Sequence, residues 1–375
     1  MSGFPEAEFA ARLSRAQARM AETGLGALLL TTEPDVRYFT GFLTRFWESP
    51  SRPWYVIVPI TGKPIAVIPS IGAALMARCW ISDIRTWSAP NPQDDGISLL
   101  VDTLREVGGP VGIPSGYETH LRMPLADFDR VKTQSELEFT YDNGIVAGLR
   151  AVKSAAEIEK IEDVCAVARR AFARIHEIAR EGVPLSRVFR DFQRLLLEEG
   201  ADWVPYLAGG AGQGGYRDVI SPADETALKA GDVLMLDTGA VRDGYFCDYD
   251  RNYSLGSPSP DTARAYARLI EATQAGLAAA TPGARACDVW RDMADIVGFG
   301  ETAGRLGHGL GMQLTEGLSL MANDETVLQA GMVITLEPGI EMPSGTVLVH
   351  EENIVITDGA PRPLSPLAGP EIPVI

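Results

Sequence analysis

The chain has 375 residues, of which 46% are hydrophobic and 22% are charged, which is typical of a globular protein with room for two domains. Its 50 acidic and 33 basic residues give a net charge of −17 at pH 7, which argues against nucleic acid or an anionic membrane as the main partner. We see no apolar run of about 18 residues and no signal-peptide pattern. We therefore expect a cytoplasmic protein with reduced cysteines and no membrane span.

The first 150 residues predict a compact α/β domain. The predicted elements are a helix over 4–22, strands over 28–31, 55–59 and 64–69, helices over 73–80 and 101–107, and a strand over 111–114. The second and third strands form a pair joined at Thr61-Gly62. Alternating strands and helices over this length are typical of one α/β domain.

The boundary between domains is expected at 149–154, which gives domains of residues 1–150 and 151–375. In the second domain the order helix, helix, strand, strand occurs twice. The predicted elements are helices over 155–181 and from Ser186 to 200, a glycine-rich loop over 208–216, a strand ending at Asp237, helices over 261–280 and 286–297, a strand ending at Glu337, and a strand pair ending at Thr357. The glycine-rich loop lacks the residues and the strand-to-helix context of a nucleotide-phosphate site.

Two copies of one stretch, 100 residues apart, mark the second domain. Residues 228–239 read LKAGDVLMLDTG, and residues 328–339 read LQAGMVITLEPG. Each copy begins at an Ala-Gly turn, continues as a short apolar run typical of a buried strand, and reaches a carboxylate, Asp237 or Glu337. A buried carboxylate is costly unless it is paired or binds a metal. We therefore predict a duplicated half-fold whose carboxylates meet at a pseudo-twofold site.

Four carboxylates and one imidazole are expected to lie together, from Asp237, Asp248, His308, Glu337 and either Glu351 or Glu352. Asp248 follows Asp237 by eleven residues, which is the reach of a β-hairpin, and His308 stands between two glycines. Such a cluster repels itself unless cations balance it, and two divalent ions would do so. Its donor atoms suit manganese, cobalt, iron or zinc. Two such ions about 3.5–4 Å apart would bridge a water, lower its pKa and polarise a carbonyl group.

These stretches resemble the pita-bread metallopeptidases, a family that includes prolidase, aminopeptidase P, methionine aminopeptidase and creatinase. The similarity is carried by residues 237–248, 307–311, 337–339 and 351–357, and residues 37–42 are similar to the start of the creatinase-type N-terminal domain. The resemblance covers nearly the whole chain. It implies an α/β protein with an N-terminal α/β creatinase-like domain and a C-terminal α+β pita-bread domain with pseudo-twofold duplication, assembled as a homodimer.

The resemblance also implies roles for individual residues. The family's metal ligands carry over to Asp237, Asp248, His308 and Glu337, and Glu337 is also expected to move protons as the catalytic carboxylate. The family's closing strand has Thr six residues after its ligand, which favours Glu351 over Glu352 as the fifth ligand. The implied reaction is hydrolysis of a C–N bond, in a peptide or a small amide, by a hydroxide that bridges two divalent ions.

Two histidines of the family are absent, since Ile220 and Thr315 stand at their positions. In the peptidases both histidines hold substrate and stabilise the transition state. Their absence leaves open the hydrolysis of a cyclic or capped amino-acid derivative, as in ectoine hydrolases. It also leaves open a metal-dependent lyase reaction on a small carboxylate such as dimethylsulfoniopropionate. A non-catalytic binding scaffold is a third hypothesis, which the retention of all five ligand positions disfavours.

Four residues are candidates for substrate binding: Arg45 and Trp47 in an N-terminal loop, Tyr216 in the glycine-rich loop, and Thr315. In this family, N-terminal-domain loops shape the pocket, often from the neighbouring subunit, and an Arg can pair with a substrate carboxylate. Two further residues near the ligands have open roles. His350 is either structural or a replacement proton shuttle, and Asp250 either binds metal or orders the surroundings of the site.

Overall fold

The computed structural model describes residues 3–47, 53–300 and 302–375 and divides into two compact units, Met1–Arg150 and Ala151–Ile375. Both units mix helices with strands, so the predicted α/β fold class is confirmed. Within the described ranges, no helix is both long enough and apolar enough to cross a membrane.

The first unit is built on one mixed sheet. Its elements are α1 (Glu6–Thr23), β1 (Ala27–Leu30), α2 (Glu33–Thr40), β2 (Tyr55–Pro59), β3 (Ile65–Pro69), α3 (Ala73–Met76), β4 (Asp83–Trp87), α4 (Ile97–Val107), β5 (Val111–Ile113), α5 (Leu125–Ser135), β6 (Phe139–Tyr141) and α6 (Ile145–Ala151). Among the described residues the strand order is β4-β3-β2-β1-β5-β6. The predicted pairing of β2 with β3 is confirmed as antiparallel, whereas β5 and β6 add in parallel.

Burial explains which elements of this unit the sequence reveals. Strands β1 and β2 are buried along their whole length, and such strands form unbroken apolar runs. Helix α1 buries one apolar stripe and ends at Gly24, whose φ of +73° suits glycine. Five elements were not predicted from the sequence: α2, β4, α5, β6 and α6. The two strands lie at the sheet edges with half-exposed residues, and α5 buries only Val131 and Ser135. Helix α2 is buried on nearly all sides, so it shows no polar face in the sequence.

The second unit carries the duplicated pattern. Its elements are α7 (Ala155–Ala173), α8 (Leu185–Glu198), β7 (Trp203–Gln213), β8 (Asp232–Arg242), β9 (Tyr245–Phe246), β10 (Tyr249–Ser254), α9 (Pro260–Ala279), α10 (Ala286–Val297), β11 (Val333–Leu336), β12 (Gly339–Glu341), β13 (Val347–Val349), β14 (Glu352–Val355) and β15 (Arg362–Pro363). Strand β8 lies between β7 and β10 and also pairs with β9, β14 lies between β11 and β15, and β12 pairs with β13.

Two predicted elements of this unit are corrected by the structure. The glycine-rich stretch 208–216 is not a loop over most of its length, because Ala208 to Gln213 belong to β7 and pair with β8. Glycines permit this close pairing, since they leave no side chain between the two backbones. Ser186 does not cap α8, because Pro184 occupies the N-cap position and the Ser186 hydroxyl donates to Glu225 at 2.7 Å.

The duplication is visible in matching backbone hydrogen bonds. The Gly182 N–H donates to the Leu228 carbonyl at 2.8 Å, and the Gly283 N–H donates to the Leu328 carbonyl at 2.9 Å. In each copy, the residue that follows this glycine accepts a bond from the N–H of the same leucine. The turn before the second helix of each copy is therefore joined in the same way to the segment that leads to the carboxylate.

One glycine also occupies equivalent positions in the two copies. Gly209 and Gly307 have φ values of +142° and +144°, and a Cβ on either would lie 2.2 Å from a carbonyl oxygen of the facing strand. Only glycine fits such a position. The next residue breaks the equivalence, because it is Gly210 in the first copy and His308 in the second.

Candidate metal centre

Four of the predicted ligands lie together in the second unit. Asp248 precedes β10, His308 follows the strained Gly307, and Glu337 directly follows β11. One ligand atom from each of these residues and from Glu351 lies within 4.8 Å of all the others. His308, Asp248 and Glu351 are buried, and the Glu337 side chain is 22% exposed. The second copy thus supplies Glu337 to the cluster, and the hairpin that follows the first copy supplies Asp248.

The orientation of His308 indicates a cation beside its Nε2 atom. Nδ1 lies 2.9 Å from the carbonyl oxygen of Gly309, a contact that requires a proton on Nδ1. Nε2 lies 3.2 Å from Asp248 Oδ2 and 3.0 Å from Glu337 Oε1. A lone pair that faces two carboxylate oxygens is repelled by them. Either a proton or a metal ion must therefore stand at Nε2.

The fifth predicted ligand, Asp237, lies on β8, at the end of its apolar run and in the same sheet as β10. Its cross-strand partner in the β8–β10 register is Asp250, and residues that face each other across antiparallel strands project from the same side of a sheet. The Tyr206 hydroxyl donates to Asp237 Oδ2 at 2.9 Å. Tyr206 belongs to β7, whose second half was predicted to be a loop. Its hydrogen bond fixes the direction of the Asp237 carboxylate.

The unpaired oxygens of the cluster give a test of metal fit. Asp237 Oδ1, Asp248 Oδ1 and Glu351 Oε1 are buried and have no hydrogen-bond partner among the described residues. A buried carboxylate oxygen without a partner is costly. Oxygen and imidazole donors of this kind suit a divalent transition metal. The residues present therefore fit the metal ions that the sequence predicts.

Burial and mutual repulsion shift the acidity of the cluster. Burial and neighbouring carboxylates raise the pKa of Asp237 and of Glu351 well above ordinary values. Burial raises the pKa of Asp248 to about 6, although His308 opposes the shift. Burial alone would raise the pKa of Glu337 and lower that of His308, but their contact reverses both, to about 2 and about 10. Without metal, protons on these groups hold the cluster together.

The two adjacent glutamates have different surroundings. The Glu352 carboxylate accepts from Arg251 at 3.1 Å and from the Ala368 N–H at 2.8 Å, and it also bonds the Ser365 hydroxyl. Glu351 instead turns an unpartnered oxygen to the cluster. The structure therefore places Glu351, and not Glu352, beside Asp248, His308 and Glu337.

Comparison with known proteins decides the family. Residues 159–358 match metallopeptidase family M24, and residues 12–152 match the creatinase/prolidase N-terminal domain. The chain belongs to metallopeptidase family M24. As a member of this family the chain is a metal-dependent peptidase, and the predicted creatinase-like N-terminal domain is confirmed. The pita-bread resemblance noted in the sequence is confirmed as well.

Relatives within the family match over nearly their whole length. A probable dipeptidase PepE from Mycobacterium tuberculosis is 28% identical over 362 residues, which cover 94% of this chain and 93% of the relative. A Xaa-Pro dipeptidase from Pyrococcus horikoshii is 26% identical over 351 residues, which cover 92% and 93%. The crystal structure of dipeptidase PepE from Mycobacterium ulcerans superposes with a TM-score of 0.84, 26% identity and 99% coverage of both chains.

Two of the four substrate-binding candidates, Arg45 and Trp47, belong to the first unit, and the other two belong to the second. Arg45 is exposed in the first unit, where Trp47 is 8% exposed and packs against Trp54 and Arg122. The burial of Trp47 within its own unit is explained by this stacking. A contact of either residue with substrate stays a prediction.

The two substrate-binding candidates of the second unit, Tyr216 and Thr315, differ in burial. Tyr216 is 1% exposed, packs in the hydrophobic core, and accepts a hydrogen bond from the Val349 N–H at 2.6 Å. Tyr216 was expected in a loop, but its side chain is buried in the core; its contact with substrate stays a prediction. Thr315 is half-buried, in the loop that follows His308. Ile220, at the position of the other missing histidine, is 85% exposed.

Two contributors to the site escaped the sequence analysis. Tyr206 gave no signal, because it precedes Asp237 by 31 residues and lies between the predicted helix and the predicted loop, where no element was expected. The Asn353 Oδ1 atom accepts a hydrogen bond from the Asp248 N–H at 3.0 Å, and the Asn353 amide nitrogen donates to the Asp248 carbonyl oxygen. The side chain thus mimics a neighbouring strand and ties Asp248 to β14. Its place two residues after Glu351 is the only sequence signal.

We expect the affinity for Mn²⁺ to rise between about pH 5 and about pH 8, because metal ligands must be deprotonated. Asp248, with a pKa of about 6, still carries its proton at the lower pH, as do Asp237 and Glu351, and His308 must also lose a proton. Each ion bound near pH 6 should therefore release about one proton or more. Titration calorimetry in buffers of different ionisation enthalpy measures this release, and an affinity independent of pH would contradict it.

Proposed function

We propose that this M24 member is a dinuclear metal-dependent dipeptidase that cleaves Xaa-Pro-like dipeptides. The observation that carries the proposal is the cluster of Asp248, His308, Glu337 and Glu351, together with Asp237, which lies near enough to interact electrostatically with Asp248 and Glu337. Three oxygens of these residues are buried and have no hydrogen-bond partner among the described residues. Four negative charges exceed what one divalent ion neutralises, and an uncompensated buried charge is strongly destabilising. Two relatives that match over almost their whole length are named as dipeptidases, one of them as a Xaa-Pro dipeptidase.

We assign the metal-holding residues as Asp237, Asp248, His308, Glu337 and Glu351. The oxygen-rich set suits manganese first, with cobalt, iron or zinc as alternatives. Divalent ions in such a site supply a water of lowered pKa and polarise the scissile carbonyl group. The contacts of Asp237 with Tyr206 and of His308 with Gly309 orient two of these ligands before any ion arrives.

Glu337 is the residue best placed to move a proton during peptide cleavage. Its side chain is 22% exposed, whereas those of His308 and Asp248 are 2% and 5% exposed, so among these three it is the most open to substrate. Its pKa of about 2 keeps it ionised, as a proton acceptor must be. The Thr335 hydroxyl donates to Glu337 and also accepts the His308 N–H at 2.9 Å, which holds the carboxylate in place.

A second candidate function is favoured by the two missing histidines. Ile220 and Thr315 offer no imidazole to a peptide substrate. A cyclic or capped amino-acid derivative, hydrolysed at its amide bond, would need fewer contacts than a dipeptide. We keep this function as the outcome to be expected if dipeptides fail.

The experiment is proline release from a panel of Xaa-Pro dipeptides by Mn²⁺-loaded protein with a measured metal content. Matched Xaa-Ala dipeptides control for selectivity, and the Asp248→Asn variant controls for contaminating peptidases. We expect proline release with kcat on the order of 1–10³ s⁻¹, as for ordinary enzymes. Metal-loaded protein that cleaves no dipeptide but hydrolyses N-acyl or cyclic amino-acid amides would overturn the proposal in favour of the second candidate.

A further inference from the structure

A second buried group of charged side chains adjoins the metal centre and contacts the backbone of Glu351. It consists of Asp250 and Arg251 from β10, His350, and Glu352 at the start of β14. Asp250 and His350 are each 1% exposed, and Glu352 is fully buried. The proposed ligand set leaves this group without a role, although such burial of charge is costly.

The contacts within this group form a closed chain. His350 Nδ1 lies 3.2 Å from Asp250 Oδ1, and its Nε2 lies 3.2 Å from Glu352 Oε1. The Nε2 contact is a hydrogen bond, whereas Nδ1 lies near Asp250 without forming one. The other oxygen of Glu352 lies 3.1 Å from the Arg251 guanidinium. Glu352 thus has two partners in the group, and Asp250 keeps one buried oxygen, Oδ2, without a hydrogen-bond partner among the described residues.

This group contacts the backbone of Glu351 directly. The Glu351 N–H donates to Asp250 Oδ1 at 3.1 Å, the same oxygen that His350 contacts. The residues on either side of Glu351 are His350 and Glu352, and both are fixed by the same chain of contacts. These contacts fix the backbone of Glu351 and both neighbouring side chains. The Glu351 carboxylate lies in the cluster, and one of its oxygens has no hydrogen-bond partner among the described residues.

We propose that Asp250 and His350 are positioning residues that pre-orient Glu351 for metal binding. This inference rests on the proposed metal centre but not on the identity of the substrate. It assigns to His350 a role in metal affinity in place of proton transfer. It also predicts that Asp250 acts through its hydrogen bond to the Glu351 N–H, which is shorter than the 3.4 Å contact of Arg251 with the Glu351 carbonyl oxygen.

The test is Mn²⁺ titration calorimetry on the full-length protein and on Asp250→Ala, His350→Ala and Asp250→Asn. We expect the two alanine variants to bind Mn²⁺ about 10- to 100-fold more weakly, the range seen when such supporting partners are lost. Asp250→Asn keeps an acceptor for the Glu351 N–H, so its affinity should lie closer to that of the wild type. The double alanine variant should bind no more weakly than the worse single variant, because the two residues form one unit.

Loss of folding is separated from loss of positioning by a matched control. Val289→Ala trims a fully buried core residue of the same unit away from the ligands; it should lower thermal stability but leave Mn²⁺ affinity unchanged. If an alanine variant fails to fold, Asp250→Asn and His350→Gln replace it. Peptidase activity of the positioning variants should return at saturating Mn²⁺, which a defect in a residue that touches substrate would not show.

Two results would overturn the positioning role, and a third would overturn the proposed function. Folded Asp250→Ala and His350→Ala proteins that bind Mn²⁺ within twofold of the wild type would overturn the positioning role. An Asp250→Asn variant as defective as Asp250→Ala would also overturn it, since a direct ligand role for the carboxylate would then explain the data better. A wild-type protein that binds no Mn²⁺, Co²⁺, Fe²⁺ or Zn²⁺ would instead overturn the proposed function.

Discussion

Asp248→Asn should abolish detectable Mn²⁺ binding and lower kcat/KM on Xaa-Pro dipeptides by at least about 10³-fold, while it makes the metal-free protein more stable. The loss of activity follows from the removal of one ligand from a centre that supplies several kcal/mol to the reaction. The gain in stability follows from the burial of Asp248, because a buried ion that repels its neighbours destabilises the fold.

The sign of the stability effect depends on pH. Burial raises the pKa of Asp248 from its ordinary value near 4 to about 6, so the cost of its charge is absent below about pH 4, grows as the pH rises from about 4 to about 6, and stays constant above that. At pH 7 this cost is about 3 kcal/mol in the metal-free wild type, and asparagine avoids it. At pH 4 the two metal-free proteins should unfold at similar denaturant concentrations.

Chemical denaturation of both proteins with and without Mn²⁺, at pH 4 and pH 7, measures these differences. Metal should stabilise the wild type at pH 7 and have no effect on the variant. Asp243→Asn, which changes an exposed aspartate of the same hairpin, serves as the control and should behave as the wild type does. An Asp248→Asn protein with wild-type activity would show that the site assignment is wrong.

Glu352→Gln should lower the free energy of unfolding by about 3 kcal/mol, whereas Glu351→Gln, one residue earlier, should leave the metal-free fold intact. Burial alone would raise the pKa of Glu352, but Arg251, His350 and Ser365 together lower it, so the carboxylate is ionised. A neutral side chain leaves the buried guanidinium of Arg251 unbalanced, and breaking such a pair is strongly destabilising. Glu351 has no such partner to lose.

Thermal unfolding of the two metal-free variants provides the comparison. For a unit of this size, about 3 kcal/mol corresponds to a melting temperature roughly 10 °C lower for Glu352→Gln. Glu351→Gln should melt at or above the wild-type temperature but lose the stabilisation that Mn²⁺ gives. Equal melting temperatures for the two variants would show that Glu352 is not the structural member of the pair.

The sequence predicts the framework of the site because the duplication repeats it. Two apolar runs that reach a carboxylate at the same offset identify Asp237 and Glu337, and the strands are found there. The choice between Glu351 and Glu352 could be made only from family resemblance. In the structure the difference lies in partners such as Arg251 and Ala368, which are distant from Glu352 in the chain.

What the sequence could not predict depends on cross-strand contacts. The glycines of β7 favoured a loop, although their lack of side chains is what lets this strand pair closely with β8. The same expectation of a loop left Tyr216 outside the core, where the structure buries it. The sequence left the role of His350 open, because its contacts with Asp250 and Glu352 are visible only in the structure.

The single histidine of the centre has a steric origin in the repeat. Gly210 occupies in the first copy the position of His308 in the second, and a Cβ there would lie 2.7 Å from the Asp218 carbonyl oxygen and 2.9 Å from the Tyr216 Cβ. A second histidine is therefore blocked, and the ancestral twofold arrangement can supply only one nitrogen donor. A pair of ions bound here would be unequal, with the nitrogen-bound one favouring metals later in the Irving–Williams order. If two ions bind, we expect two separate binding steps and mixed-metal occupancy, both traceable to the crowded position of Gly210.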